Sequence, residues 1–126
     1  MTIKNVTYSD GRQVWYQNEN IHREDQPAVI YPNGKVEWWS NNKLHRENAP
    51  AIIFTNGDEY WFKNGKCHRE DGPAVEWWDG SKEWILNGVR FSEQEFLLKT
   101  AKEIVLTMDE IADKFGIEVS KLKISK

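Results

Sequence analysis

Three copies of one short motif contain the residue types of this chain that are best able to do chemistry. The motif reads His-Arg-Glu followed by Asp or Asn, and its copies begin at His22, His45 and His68. An imidazole beside carboxylates suggests general acid–base catalysis or ligation of a metal ion. Each use requires the side chains to converge on one centre, so the spacing of the copies decides whether either is available.

The spacing of the motif argues against a metal site. Successive copies lie 23 residues apart, and a fixed period of this size is typical of a tandem repeat. If each repeat supplies two strands, equivalent histidines lie roughly 10 Å apart, because neighbouring strands are separated by about 4.8 Å. Zinc holds its nitrogen ligands at about 2 Å. We therefore expect no metal site and no cofactor.

The repetition also argues against catalysis. An active site is normally single, whereas this motif occurs three times and Asn48 replaces the aspartate in the middle copy. A task that every repeat performs is usually structural, so we predict a structural role for the motif, with contact to a ligand as the alternative. We also predict that the chain is not an enzyme. Asp25, Asn48 and Asp71 are expected to bond the backbone before the following proline, as in an Asx-turn. Arginine is expected to pair with a carboxylate of the same or the adjacent loop, and histidine to pack against the next tryptophan.

The elements that would hold the motif are short β-hairpins. Asn-Gly or Asp-Gly lies between apolar runs, as at Asn33-Gly34, and predicts type I′ turns, which need positive φ at both central residues. A second turn is predicted after each tryptophan strand, as at Asn64-Gly65. Residues 1–91 are therefore predicted to be mainly β, a meandering antiparallel sheet of 23-residue hairpin repeats with strands of about four to five residues.

Tryptophan marks the same register in all four hairpins, at Trp15, Trp38, Trp61 and Trp84. These rings are predicted to share one face of the sheet, and the residues that follow them to lie on the other face. Either some aromatic rings of this thin sheet are exposed, and exposed aromatic patches mark binding surfaces, or the sheet coils enough to shelter both faces. The candidate binding residues are Trp39, Phe62, Trp77, Trp78, Arg46, Arg69 and Phe91.

Composition changes after Phe91, and residues 92–126 are predicted to form a small α+β cap in the order helix, strand, helix, strand. Ser92 and Glu95 form a capping box, and the first helix is expected to run to about Lys102. A strand is expected near Ile104 and a second helix from Thr107. A cap would cover the open edge of the hairpin array. The same segment also allows a helix-turn-helix that binds DNA.

Composition limits the other possibilities. The net charge of −3 argues against a nucleic-acid interface as the main function. The single cysteine excludes an internal disulfide, and Cys67 takes the register of Ile21 and Leu44, which indicates a small core residue rather than a reactive thiol. The first residues lack the apolar core of a signal peptide, and no apolar run is long enough to span a bilayer. We therefore expect a soluble protein of the cytoplasm.

The stretch from Trp61 to Val75 resembles MORN-related tandem β-hairpin repeats of the His-Arg-x-Asp-Gly-Pro-Ala type, which are found in small accessory proteins of bacteriophages and other large DNA viruses. The resemblance covers about residues 1–91. It implies a non-enzymatic sheet that binds other molecules in the cytoplasm of a host cell. MORN units proper lack the His-Arg-Glu motif, so their lipid or cytoskeletal roles are not carried over.

These observations lead to three functional hypotheses. The first is a non-catalytic protein that docks on a host protein and inhibits a defence or regulatory factor. The second is a protein that sequesters a small nucleotide, with tryptophan stacked on the base and arginine on the phosphate. The third is a DNA-binding accessory factor. An open edge around Val6 to Tyr8 could also pair two copies into a homodimer.

Overall fold

Residues 2–101 are the part of the chain that the structure, a computed structural model, describes. They form antiparallel β-structure followed by one short helix. The predicted fold class, a mainly β protein built on a meandering antiparallel sheet, is confirmed for this part. The strand expected near Ile104, the helix expected from Thr107 and the helix-turn-helix alternative lie outside the described residues.

The described strands follow one another as hairpins along the chain. In order they are β1 (Ile3–Thr7), β2 (Gln13–Gln17), β3 (Asn20–Ile21), β4 (Val29–Ile30), β5 (Val36–Glu37), β6 (Trp39–Ser40), β7 (Lys43–Leu44), β8 (Ile52–Ile53), β9 (Glu59–Tyr60), β10 (Phe62–Lys63), β11 (Lys66–Cys67), β12 (Val75–Glu76), β13 (Lys82–Leu86) and β14 (Val89–Phe91). A ten-stranded sheet has the order β1-β2-β4-β5-β8-β9-β12-β13-β14, with β3 paired to β2. The pairs β6–β7 and β10–β11 form two smaller sheets.

The middle strands are shorter than predicted because the chain changes partners at a tryptophan and, unlike β2, has no strand such as β1 paired along the whole of its other side. The N–H of Trp38 donates to the carbonyl of Ala51 at 2.7 Å, within the large sheet. The carbonyl of Trp38 accepts from His45 at 3.0 Å, which begins the small hairpin β6–β7. Trp61 makes the corresponding two bonds. The expected strands of four to five residues are therefore each divided into two strands of two residues.

The two kinds of turn have different backbone conformations. At Asn33-Gly34 only the glycine has positive φ, +97°, and its N–H donates to Tyr31 at 2.9 Å. This is a type I turn followed by a left-handed glycine, so the predicted type I′ turn is wrong here. The second turns do meet the type I′ requirement: Asn64 and Gly65 have φ of +50° and +84°.

Helix α1 (Glu93–Thr100) packs against β13 and β14 at one end of the large sheet. The predicted capping box is present, with Ser92 accepting from the Glu95 N–H and Glu95 accepting from the Ser92 N–H. The helix ends at Thr100, short of the expected Lys102, and the N–H of Ala101 closes its last turn. Among residues 2–101, no helix has the length and apolar character needed to cross a membrane.

The buried core is thin and consists mostly of small residues. Three alanines spaced 23 residues apart are completely buried where the motif loops enter the sheet, at Ala28, Ala51 and Ala74. Larger buried side chains lie on the strands and on α1, at Val14, Val29, Ile52, Val75, Ile85 and Phe96. With so little aliphatic core, contacts between polar and aromatic side chains must contribute much of the order in the sheet.

Candidate functional site

The motif arginines lie over the rings of the preceding tryptophans. The guanidinium carbon is 3.7 Å from the ring centroid for Arg46 over Trp38, and an equivalent contact joins Arg69 to Trp61. Arg23 lies over Trp15 in the same way, at 3.9 Å. A cation over an indole face is attracted by the ring quadrupole. The arginine therefore lies over the preceding tryptophan, and the expected packing of histidine against the next tryptophan stays a prediction.

Each of these guanidiniums also donates to the carbonyl of the proline four residues later. The distances are 3.2 Å for Arg23 to Pro27, 3.1 Å for Arg46 to Pro50 and 3.1 Å for Arg69 to Pro73. Arg69 further pairs with Asp71 at 2.8 Å, as expected of an arginine near a carboxylate. The arginines thus fold the motif loop back over the tryptophan. Asp25 and Asn48 adopt left-handed conformations in this loop, with φ of +63° and +62°, which Asp and Asn tolerate better than most residues.

The motif histidines join each hairpin to the next one. The Nδ1 atom of His45 accepts from the backbone N–H of Asn64 at 3.0 Å, and His22 and His68 make the same bond to Asn41 and Asn87. A backbone N–H can only donate, so Nδ1 is the acceptor and the proton of the neutral ring is on Nε2. The Nε2 atom contacts the glutamate two residues later in each copy, as in the pairs His22–Glu24, His45–Glu47 and His68–Glu70.

Grooves separate successive copies of the motif. Groove A, of about 400 Å³, is lined by Asp25, Trp38, Trp39, Arg46 and Glu47, among others. Groove B, of about 240 Å³, is lined by Arg46, Glu47, Phe62, Arg69 and Asp71, among others. The two grooves have equivalent walls, and the loop that carries Arg46 and Glu47 belongs to both. Groove C, of about 430 Å³, has the third copy as one wall and Lys99 and Thr100 of α1 as the other.

Most exposed charges around grooves A and B are carboxylates, although groove B also has the exposed ammonium of Lys63. The side chain of Asp71 is 81% exposed, and the glutamates of the three motif copies are also well exposed. The side chain of Arg69, in contrast, is only 19% exposed. Burial lowers the pKa of Arg46, yet an arginine remains protonated at neutral pH. The groups exposed to solvent at grooves A and B are therefore mainly carboxylates, and the aromatic rings and the bonded guanidiniums lie below them.

The structure brings some of the predicted site residues together and leaves others apart. Trp39 and Arg46 line groove A, while Phe62, Arg46 and Arg69 line groove B. Trp77 is half-buried against the core cluster of Ala74, Val75 and Ile85. Trp78 lies at a turn and is 70% exposed. Phe91 of β14 is paired with Trp84 of β13, and the ammonium of Lys99 lies 5.3 Å from the centroid of the Phe91 ring. None of these last three predicted residues lines groove A or groove B.

Sequence reasoning missed a buried carboxylate. Glu37 is 8% exposed and accepts hydrogen bonds from the indole of Trp39 at 2.9 Å and the hydroxyl of Tyr31 at 3.3 Å. The ammonium of Lys35 lies 3.1 Å away and completes the group. Glu37 fixes the orientation of the Trp39 ring in groove A. A charged residue directly before two tryptophans in a strand was the available signal.

A second missed cluster lies on the first hairpin. The hydroxyls of Tyr8 and Tyr16 are 2.5 Å apart, and Arg12 lies over the Tyr8 ring at 4.6 Å. The hydrogen bond between Tyr16 and Tyr8, followed by burial, raises the pKa of Tyr16. These tyrosines line a cavity of about 450 Å³ beside β1.

Within residues 2–101, no group of three or more His, Cys, Asp or Glu side chains is arranged to hold a metal ion. Burial, followed by the charge of Glu83, raises the pKa of the Cys67 thiol to about 11. Comparison with protein-family models, with curated proteins and with solved structures finds no match for this chain.

Proposed function

We propose that this chain is a non-catalytic binding protein that docks on another protein through grooves A and B. The observation that carries the proposal is the equivalent placement of Trp39 and Phe62, one in each groove, beside exposed carboxylates. Aromatic side chains framed by polar groups are typical anchors of protein–protein interfaces. Two equivalent grooves in tandem would hold one partner segment at two points, which raises its affinity.

The charge of the rim defines the chemistry of the partner. Glu47 stands between the two grooves, and Asp25 and Asp71 are at their outer walls. A segment with lysine or arginine beside an apolar residue would complement this surface, since the cation meets carboxylates and the apolar group meets a ring. The resemblance to bacteriophage accessory proteins points to a host protein as the partner and to inhibition of a defence or regulatory factor as the outcome.

The state of the motif side chains supports binding rather than catalysis. Both ring nitrogens of His45 have partners, the Asn64 N–H and Glu47, so the imidazole is committed to the architecture. The guanidinium of Arg46 is engaged by Trp38 and Pro50. A nucleotide phosphate would meet exposed carboxylates in groove A, and in groove B it would meet three exposed carboxylates beside the ammonium of Lys63, which favours protein docking over nucleotide sequestration. The DNA-binding alternative rests on residues outside the described part of the chain and stays a prediction.

The test is site-specific photocrosslinking in a bacterial host lysate. Benzoylphenylalanine replaces Trp39 in one protein and Phe62 in another, and Val89, which is exposed but outside both grooves, is the control position. We expect one common partner to be captured from positions 39 and 62 and not from position 89. The affinity of this partner for the chain should fall in the double variant Trp39→Ala, Phe62→Ala and remain unchanged in Trp78→Ala. Loss of binding in Trp78→Ala alone would place the interface at the turn instead. Thermal stabilisation by a nucleotide in place of protein capture would favour sequestration.

A further inference from the structure

Strand β1 is a sheet edge that no described element covers. It pairs with β2 along its inner side, whereas at the opposite end of the sheet α1 packs against β13 and β14. β1 has five residues, contains no proline and is exposed along most of its length. An edge of this kind presents backbone groups that can pair with another strand.

The bonds of β2 show which backbone groups of β1 face outward. The N–H of Trp15 donates to Ala28 at 2.8 Å, and its carbonyl accepts from His22 at 3.0 Å. Both partners lie on the side of β2 that is remote from β1. Asn5, which lies opposite Trp15, therefore belongs to a pair that exchanges no backbone hydrogen bonds.

Hydrogen bonding alternates along an antiparallel pair, so the odd-numbered residues of β1 share the orientation of Asn5. The opposite orientation of an even-numbered residue agrees with this, because the N–H of Tyr8 donates inward to Arg12 at 2.9 Å. The N–H and C=O groups of Ile3, Asn5 and Thr7 thus point to the open edge.

We propose that this edge binds a second copy of the chain by antiparallel pairing of β1 with β1, about a two-fold axis at Asn5. In this register Asn5 faces Asn5 of the partner subunit, and Ile3 faces Thr7 of the partner subunit. All of these residues point their backbone groups outward, so every pair exchanges both of its hydrogen bonds. A symmetric arrangement of this type is the commonest way in which identical chains associate.

Neighbouring registers are less favourable. An axis at Lys4 would place the two Lys4 ammonium groups directly opposite each other, which is repulsive. An axis at Val6 would move Ile3 beyond the end of the partner strand, and its two bonds would be lost. With the axis at Asn5, Lys4 faces Val6 of the partner subunit, and its alkyl chain can lie along that side chain.

The side chains beside the edge are suited to such a contact. Lys4, Val6, Tyr8 and Tyr16 line one cavity on the same face of the first hairpin. Pairing about Asn5 would bring the two copies of this cavity side by side across the seam. On the other face, Ile3 is 50% exposed and would be partly covered. This interface uses neither groove A nor groove B, so it is independent of the proposed partner site.

The first experiment measures mass by sedimentation velocity over a concentration series. We expect the wild-type chain to approach twice its monomer mass of 14.8 kDa as the concentration rises. Asn5→Pro removes an outward N–H that β2 does not use, so the hairpin is kept while the mass falls by half. Asn5→Thr retains the N–H and should remain dimeric. A chain that stays monomeric at every concentration, or an Asn5→Pro variant that remains dimeric, would overturn the proposal.

A disulfide test fixes the register and does not depend on the folding of the proline variant. In a Cys67→Ala background, Asn5→Cys should crosslink two copies on mild oxidation, because directly opposed residues have Cα atoms about 5.5 Å apart, within reach of a disulfide. Lys4→Cys is the matched control, since in this register it faces Val6 of the partner subunit rather than itself. Efficient crosslinking of Lys4→Cys, with none for Asn5→Cys, would contradict the axis at Asn5.

Discussion

The Nδ1 atom of His68 accepts a hydrogen bond from the backbone N–H of Asn87, over a distance of 2.8 Å. This bond joins the motif loop of one hairpin to the second turn of the next. It also determines that the neutral ring is protonated on Nε2, which faces Glu70. In the sequence, His68 was a candidate for catalysis or metal binding. In the structure, both of its ring nitrogens have partners within the chain.

Replacing His68 with alanine should destabilise the sheet. The Asn87 N–H would lose its acceptor, and we expect the free energy of unfolding to fall by about 1–2 kcal/mol. Urea denaturation followed by tryptophan fluorescence measures the change. His68→Asn is the matched control because its amide oxygen can replace Nδ1 as an acceptor, so it should retain part of the stability. Equal losses in the two variants would show that ring packing matters and the hydrogen bond does not.

Because Arg46 lies over the Trp38 ring, arginine at this position should stabilise the fold more than lysine would. Arg46→Ala removes the cation over the indole and the hydrogen bond to Pro50, for an expected loss of about 2 kcal/mol in unfolding free energy. Arg46→Lys keeps the charge but loses the planar group, and should lose about 1 kcal/mol. Both variants are measured by urea denaturation. A lysine variant as stable as wild type would mean that charge alone is sufficient.

Cys67 should be unreactive in the folded protein at neutral pH. Its pKa is raised to about 11, first by burial and then by Glu83, so almost no thiolate is present at pH 8. Ellman's reagent should react slowly with the native protein at pH 8 and rapidly after addition of urea. A rapid reaction of the native protein at pH 8 would contradict the buried position.

The same pKa difference predicts a loss of stability in alkali. The unfolded thiol ionises near its ordinary value of about 8.5, whereas the folded thiol resists ionisation until about 11. The stabilisation is complete below the unfolded pKa and is lost as the pH rises through the folded pKa. Urea midpoints between pH 8 and pH 11 measure this effect. Cys67→Ala should lack this part of the pH dependence.

Reversing the charge of Glu47 should weaken partner binding at both grooves, because this residue is part of each wall. We expect Glu47→Lys to raise the Kd for the crosslinked partner roughly tenfold, which corresponds to about 1.4 kcal/mol. Glu19→Lys, which changes the net charge equally but lies in a turn outside both grooves, should leave the Kd unchanged. Equal effects of the two variants would indicate long-range attraction in place of local contact.

Two turn glycines in the same conformation should differ in their tolerance of alanine. Gly34 and Gly80 have φ of +97° and +91°, so alanine is strained by about 1–2 kcal/mol at either position. A Cβ at Gly34 would lie 2.9 Å from the Cγ2 of Thr55, whereas a Cβ at Gly80 meets nothing within 4 Å. Gly34→Ala should therefore have the lower melting temperature of the two. Equal melting temperatures would show that Thr55 moves aside freely.

Local patterns predicted the class of fold well. The recurring tryptophans and the Asn-Gly and Asp-Gly pairs indicated antiparallel hairpins, and Ser92 with Glu95 marked the start of α1. The partner of each backbone group was less predictable. A strand pattern does not show that the N–H and the carbonyl of Trp38 bond to different hairpins, and this is why each middle strand is divided. The type I′ prediction at Asn33-Gly34 failed for a related reason, since the same two letters also fit a turn in which only glycine has positive φ.

The candidate site was only partly predictable. Alternation along an extended chain places His45 and Arg46 on opposite sides, but the sequence does not show which of them meets the tryptophan. Trp39, Phe62, Arg46 and Arg69 were each predicted to be binding residues, and their meeting in grooves depends on how successive loops stack. Trp78 and Phe91 matched the same criteria and lie elsewhere. Glu37 escaped notice because a single glutamate in a strand usually faces solvent.

The link from a motif histidine to the following asparagine has the same separation of 19 residues in all three copies. A connection that is identical at every step does not depend on how many steps there are. Loss or duplication of 23 residues in register would recreate the same hydrogen bond at the junction. The number of hairpins can therefore change without a new type of contact between them. The number of grooves is then a property that evolution can adjust one unit at a time.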